Sequence, residues 1–359
     1  MEPSSLALFW AAVIAFAILM YAILDGFDLG VGILFGWTKD ESLRVQMMDS
    51  IAPFWDGNET WLVVIGAGLF AAFPQVYAVF LGVFYLPVLF LLFGLIFRGI
   101  AFEFRFRSTR TRWLWDLGFT AGSTVVAFAQ GAAVGAMMRG IPVEDGYYSG
   151  GSFSWLHPFA ILSGIGVVLG YALLGAGWLA LKNTGRIRDW AYARIRKLVV
   201  GILIVMVVAF AFVFDFSSVA ARSGLHERPA GLVFPAIALL SLLAILSGAR
   251  GKRDGAPFAL AVLFFFASWL TLIVTFWPYM IPYSITVAAA AAPDVSLQFI
   301  FWGAIIVLPI ILTYTLAIYL VFRGKIQKGE ISLYDPASAP ARDAGVATPG
   351  GSGRASGAT

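Results

Sequence analysis

Asp25 and Asp28 interrupt the first long apolar run of the chain, Asp56 and Glu59 open the second, and Arg98 and Glu103 close the third. Each ionised side chain at the centre of a bilayer costs about 2.5–3.5 kcal/mol on insertion scales, so such residues persist where something compensates them. Asp25 and Asp28 are three residues apart and share one helix face, as do Asp56 and Glu59. A helix starting near Pro53-Phe54-Trp55 offers its positive dipole end to Asp56. Five carboxylates against one arginine exceed what simple pairing requires. Crowded carboxylates resist ionising together, so the cluster can take up and release protons near neutral pH. The plainer alternative is that these acids cap helices, pair with Arg98 and the basic loops, or sit in interfacial water. For the cluster as a whole the expectation is a cytoplasmic proton entry path, with Asp56, Asp25, Asp28 and Glu59 as its members and Arg98 and Glu103 as supporting charges, or else a polar joint to a partner.

Other chemistry is scarce. The chain has no cysteine, which excludes disulfides, Cys-ligated zinc and iron–sulfur clusters. Its two histidines, His157 and His226, lie in outer loops or at a helix start, whereas a bis-histidine haem or a copper site needs ligands converging from helices. Met137 and Met138 read as packing residues. No metal site and no catalytic residue is expected in this chain, and no phosphate loop or Ser/His/Asp set appears. Trp277-Pro278-Tyr279-Met280-Ile281-Pro282-Tyr283 stops a helix at the outer interface. Aromatic anchoring and a resting surface for a quinone explain that turn equally well.

The elements that position these groups are membrane helices. Of 359 residues, 60% are hydrophobic and only 12% charged, against about half and a quarter in soluble domains. Apolar stretches near 6–37, 58–74, 77–98, 116–138, 157–181, 198–216, 231–248, 257–277 and 298–322 predict an all-α bundle of nine spans. The basic residues test that count. Twenty-one of the 24 fall on one side of the alternation and three, Arg139, Arg222 and Arg228, on the other. The positive-inside rule then places the N-terminus outside and the C-terminus in the cytoplasm. A pI near 9.3 therefore reflects topology, and no nucleic-acid partner is expected. Met1-Glu2-Pro3 lacks a basic n-region, so the first run is expected to be a retained span. Residues 1–333 form the transmembrane domain, and 334–359, rich in Ala, Gly, Ser and Pro, form a disordered cytoplasmic tail. Gly-x-x-x-Gly pairs at Gly26/Gly30, Gly32/Gly36, Gly131/Gly135 and Gly166/Gly170 predict close helix packing within the chain.

These stretches together resemble subunit II of the cytochrome bd-type quinol oxidases. The resemblance is carried by Asp25-Gly26-Phe27-Asp28-Leu29-Gly30-Val31-Gly32, by Ser50-Ile51-Ala52-Pro53-Phe54-Trp55-Asp56-Gly57-Asn58-Glu59, and by Phe97-Arg98-Gly99 with Ala101-Phe102-Glu103. His157-Pro158-Phe159 and the Trp277–Pro282 turn extend it over nearly all the chain except the tail. The resemblance implies a haem-free, nine-helix subunit of the bacterial inner membrane, paired with a haem-bearing subunit I. That partner would hold two b-type haems and a d-type haem, or b-type haems only, together with the quinol site. The complex would oxidise ubiquinol or menaquinol and reduce dioxygen to water with cytoplasmic protons. The resemblance further implies that Asp56 lies on the proton path with Asp25 and Asp28 nearby, and it leaves room for small accessory subunits and a bound quinone. Glu59 departs from the glutamine of some members. A short loop between the sixth and seventh spans looks like the compact, cyanide-insensitive branch. Against this stands a proton-coupled transporter, whose acids would sit near the midplane between broken helices, or a purely structural assembly subunit.

Overall fold

The computed structural model describes residues 2–215, 229–248 and 253–326. His226, the loop between the sixth and seventh expected spans, and the expected tail at 334–359 lie outside the described residues, as do Arg222, Arg228, Arg250, Lys252, Lys328, Arg342 and Arg354.

Long helices make up almost everything described. They are α1 (Ser5–Phe35), α2 (Glu41–Ile51), α3 (Trp55–Ala72), α4 (Pro74–Phe104), α5 (Arg112–Arg139), α6 (Pro158–Lys182), α7 (Gly185–Asp215), α8 (Val233–Gly248), α9 (Gly255–Phe276), the short α10 (Val287–Ala290) and α11 (Asp294–Val321). Two small antiparallel ribbons, Val143–Glu144 with Tyr147–Tyr148 and Tyr279–Ile281 with Ile285–Thr286, close loops. Among the described residues, eight helices are long and apolar enough to cross a membrane. The second expected span, 58–74, corresponds to α3, an 18-residue helix that opens on Trp55-Asp56-Gly57-Asn58-Glu59 and is not among those eight. The sequence reading missed α2, which lies between the first two expected spans; Asp40 caps it and its buried face is Leu43, Met47, Met48 and Ile51.

Helix starts follow local chemistry. Ser4 accepts the Ala7 amide to cap α1, and His157 Nδ1 accepts the Ala160 amide to cap α6, with Pro158 at the first helical position where no amide donor is needed. Pro74 opens α4 in the same way. Pro87 within α4 accompanies a non-helical Phe84 and bends that helix.

Helix α1 runs through the middle of the bundle, packed by α3, α5, α6, α9 and α11. Glycine makes its closest approach possible. A side chain at Gly30 would lie 1.8 Å from the Tyr171 carbonyl of α6, and one at Gly175 would lie 2.4 Å from the Gly30 backbone. The α4–α5 crossing depends likewise on Gly94 and Gly122, each against the other's carbonyl. Lipid tails are as apolar as leucine, so this intimate van der Waals contact, rather than exclusion of water, holds the helices together. Three apolar clusters result among the described residues. One surrounds Phe27, Leu34, Phe102, Trp178 and Ile195 towards the C-terminal end of α1, another surrounds Trp10, Phe73, Phe84 and Ile281 towards its N-terminal end, and a small third holds Ala17, Tyr21 and Trp61.

A buried charge cluster as the candidate functional site

Asp25 and Asp28 belong to the last third of α1, Asn58 to the first turns of α3, and Arg98 to the last turns of α4. Consecutive spans alternate in direction, so these three positions converge at one end of the bundle. Their side chains meet. Arg98 donates from Nη1 to Asp25 Oδ1 at 2.7 Å, and its Nη2 lies 3.9 Å from Asp28 Oδ2. Asn58 Nδ2 donates to Asp28 Oδ2 at 2.7 Å and to the Leu24 carbonyl at 3.3 Å, while Tyr319 of α11 donates to Asn58 Oδ1 at 3.0 Å. Asp25, Asp28 and Arg98 are all 0% exposed. Four polar atoms of this group, Asp25 Oδ2, Asp28 Oδ1 and Arg98 Nε and Nη2, are buried without a hydrogen-bond partner among the described residues. Two carboxylates and one guanidinium carry one negative charge more than they neutralise. A buried site of this kind stays charged only at a cost of several kcal/mol, and a bound proton removes that cost.

The other expected members are arranged around this core rather than in it. Glu59 is half-buried and within electrostatic range of Arg98, Asp25 and Asp56. Asp56 is exposed in the first turn of α3. The four acids therefore form a gradient from the outer surface of the chain to its interior. Arg98 does pair with the cluster; Glu103 does not. Glu103 is exposed and sits 3.7 Å from Arg107, four residues on along the chain.

Sequence reasoning missed a second polar layer further out at the same end. Arg105, fully buried, donates to Asp116 at 2.6 Å and to both oxygens of Glu41, and Arg44 donates to Asp116 at 2.7 Å. The rings of Phe35 and Phe106 lie against the Arg105 guanidinium. It ties α2, α4 and α5 together. Asp116 inside the otherwise apolar start of α5 was the available signal. A third group, Tyr21, Gln130 and Tyr171, reaches the cluster from the α5–α6 side: Tyr171 donates to Gln130 Oε1 at 2.6 Å and Gln130 Nε2 donates to Tyr21 at 3.4 Å. Gln130, a lone amide in the apolar middle of α5, was its signal.

At the opposite end, His157 is committed to helix capping through Nδ1, and burial, with the nearby Arg139 charge, holds its imidazole below the usual range. Among the described residues no group of three or more His, Cys, Asp or Glu is arranged to hold a metal ion. Trp277 and Tyr279 of the aromatic turn are exposed.

Comparison with known proteins shows the family and the fold. Residues 6–322 match the family described as cytochrome bd terminal oxidase subunit II. The chain is 31% identical to cytochrome bd-I ubiquinol oxidase subunit 2 of Escherichia coli K12, over 90% of this chain and 95% of that one. It is 28% identical to cytochrome bd ubiquinol oxidase subunit 2 of Bacillus subtilis, over 90% and 98%. The fold superposes on a chain of the bd oxidase from Geobacillus thermodenitrificans with a TM-score of 0.73 at 14% identity, covering 90% of this chain and all of the other.

Proposed function

We propose, for a chain that belongs to the cytochrome bd terminal oxidase subunit II family, that it is the haem-free partner of a haem-bearing subunit I and conducts cytoplasmic protons towards that partner's oxygen site. Family membership makes it part of an oxidoreductase complex, and its long apolar helices make it a multi-pass protein of the bacterial inner membrane. In this reading α3 is a ninth span, the N-terminus faces out and the C-terminus faces the cytoplasm. The redox centres, b-type haems with or without haem d, and quinol oxidation belong to subunit I. This chain stabilises that subunit and supplies the protons that turn dioxygen into water.

One observation carries the proton role: the run of carboxylates from exposed Asp56, through half-buried Glu59, to the buried Asp25–Arg98–Asp28 group. Asp56 collects a proton at the surface. Glu59 stands within electrostatic reach of both ends. The buried group, one negative charge in excess, accepts it, and the orphaned oxygens of Asp25 and Asp28 are where a proton or a bridging water binds. Arg98 keeps that excess at one charge and holds the two acids apart from lipid.

Replacing Asp56 with Asn tests the assignment. Quinol-driven oxygen consumption of the purified complex should fall at least about tenfold, the order of effect of a lost proton-transfer group, while the visible haem spectrum stays intact. Parental turnover in that variant excludes Asp56 from the path. Purification separates the rival readings: an oxidase subunit brings a coloured haem partner, a transporter comes out colourless, and a purely structural subunit tolerates loss of every acid.

A further inference from the structure

Asn58 links the buried acids of α1 to a helix that is otherwise turned outward. Among the described residues α11 fully buries only Leu297, near its start, and Phe299, Trp302, Ile306 and Ile310 stand exposed along it. Near the other end one side chain turns into the bundle. The Tyr319 ring lies on Phe54 at 4.8 Å between centroids, with Trp178 at 6.2 Å and Phe27 at 6.5 Å presented edge-on. Its hydroxyl donates to Asn58 Oδ1 at 3.0 Å. Three residues further on, Lys182 of α6 holds the Phe322 carbonyl. Ring and backbone are both tied down at the point where Tyr319 meets the amide.

The direction of that amide is set by a group that can only accept. The Leu24 carbonyl lies 3.3 Å from Asn58 Nδ2, so the NH2 end faces α1, and it donates also to Asp28 Oδ2 at 2.7 Å. Turned over, the amide would set its oxygen against that carbonyl and against the carboxylate. On the far side Tyr319 supplies the matching donor to Oδ1. Bonds from two sides therefore keep a donor on Asp28 Oδ2, which also stands 3.9 Å from Arg98 Nη2. Asp28 Oδ1 is buried without a partner among the described residues. The two oxygens of one carboxylate are thus made unequal.

We propose that Asn58 and Tyr319 are positioning residues that reserve Oδ2 of Asp28 for a donor, so that this carboxyl takes up and releases the travelling proton on Oδ1 alone. This deepens the proton-conducting reading above and rests on it. A proton on Oδ2 would face the Asn58 amide hydrogen and the Arg98 guanidinium, both donors. A proton on Oδ1 meets neither, and Oδ2 keeps its amide bond as the carbonyl oxygen of the neutral acid. Uptake and release then need no turn of the amide and no new partner for Tyr319. The charged and titratable groups around Asp28 are Asp25 of α1 itself, Arg98 from α4, Glu59 from α3 and Tyr319 from α11. Tyr171 of α6 stands by Asp25. Glu41 and Arg44 of α2 and Asp116 of α5 are engaged with one another through Arg105, and α9 carries no ionisable side chain.

The test uses the intact complex carrying Asn58→Leu, Tyr319→Phe or both, the double variant leaving no stranded hydroxyl. Yield and haem spectrum check assembly. In Asn58→Leu the pH profile of oxygen consumption should move upward by about one unit, the scale of one hydrogen bond to a charged group, because an acid without its amide donor keeps its proton to higher pH. Infrared difference spectra between acid and alkaline samples should show a protonated-carboxyl C=O band that Asp28→Asn removes. Asn58→Leu should move that band to higher wavenumber, as for any carbonyl freed of its donor. Tyr319→Phe should shift both readouts the same way by less, and should add nothing beside Asn58→Leu, since it acts only through the amide. A parental pH profile or an unmoved band in Asn58→Leu overturns the proposal, as does a Tyr319→Phe effect that persists in full in the double variant. Where Asn58→Leu does not assemble, Tyr319→Phe decides by the same two readouts. Such a failure leaves the conducting reading in place while Asp56→Asn and Asp28→Asn slow turnover; full turnover in both removes that reading itself.

Discussion

Arg98 is the residue on which the site's electrostatics turn. Its guanidinium is sealed from solvent and sits beside two sealed carboxylates, bonding one at 2.7 Å and approaching the other at 3.9 Å. An arginine stays charged in such a place, where a lysine could lose its proton, and its planar fork suits two acids at once. Arg98→Met therefore strands both carboxylates and should destabilise the subunit by about 3–5 kcal/mol, the range for breaking a buried pair. The readout is the thermal midpoint of the purified complex together with its yield. Asp25→Asn in the same background removes one stranded charge and should recover part of the loss. An undiminished midpoint in Arg98→Met means that water, rather than the arginine, compensates the acids. The contrast with Glu103 is instructive: an acid and a base at sequence positions that suggest pairing end up on different faces of α4, one buried and one exposed.

Between residue and bundle stands the packing of α1 on α6. The backbone of α1 touches that of α6 at Gly30 and Gly175, on the same stretch of α1 that carries Asp25 and Asp28. Gly30→Ala places a methyl group 1.8 Å from a backbone carbonyl that has nowhere to retreat. The helices must part, and Tyr171, held between them, shifts with α6. The expected outcome is loss of most assembled complex. Gly66→Ala, at a position with open space around it, should assemble as the parent does. Comparing the two by yield on size-exclusion chromatography isolates the crossing from the general effect of adding a methyl to a helix. Gly26/Gly30 and Gly131/Gly135 thus pack within the chain, as their spacing suggests, with Ser163 and Ala160 of α6 lying against the second pair.

At the scale of the whole molecule, α11 is held mainly at its ends. Ser4 donates to Asp294, and the Trp10 indole donates to the Leu297 carbonyl, at one end. At the other, Lys182 donates to the Phe322 and Gly324 carbonyls, Ile326 bonds back to Lys182, and Lys325 pairs with Asp254, which also holds Arg188. Between those ends most of α11 presents bulky apolar side chains outward, Phe299, Trp302 and Ile310 among them. Partial burial favours the neutral acid of Asp254, but its bonds to Lys325 and Arg188 outweigh that and hold its carboxyl below the usual range. The stabilisation it lends is thus present above the unfolded carboxyl value of about 3.9 and is lost as pH falls through the lower folded value. Asp254→Asn should mimic that loss at neutral pH, seen as faster amide exchange over residues 322–326. Unchanged exchange there means that Lys182 alone secures the strap.

Much of this was legible in the linear chain, for a physical reason: lipid imposes a single rule on every span. The positions of the long helices, the isolation of the acids within apolar runs and their gathering at one end all follow from helix length, hydropathy and alternating direction. Asp25 and Asp28 sharing a face, and Arg98 lying level with them, followed from spacing. Tertiary structure alone decided which partner each charge takes, because a pairing depends on helix rotation and on the lateral order of helices, and neither is written in hydropathy. Hence Arg98 meets Asp25 while Glu103 turns outward, Asp56 stays at the surface while Asn58 reaches inward, and the lone amide Gln130 finds its partner in Tyr171, forty-one residues away.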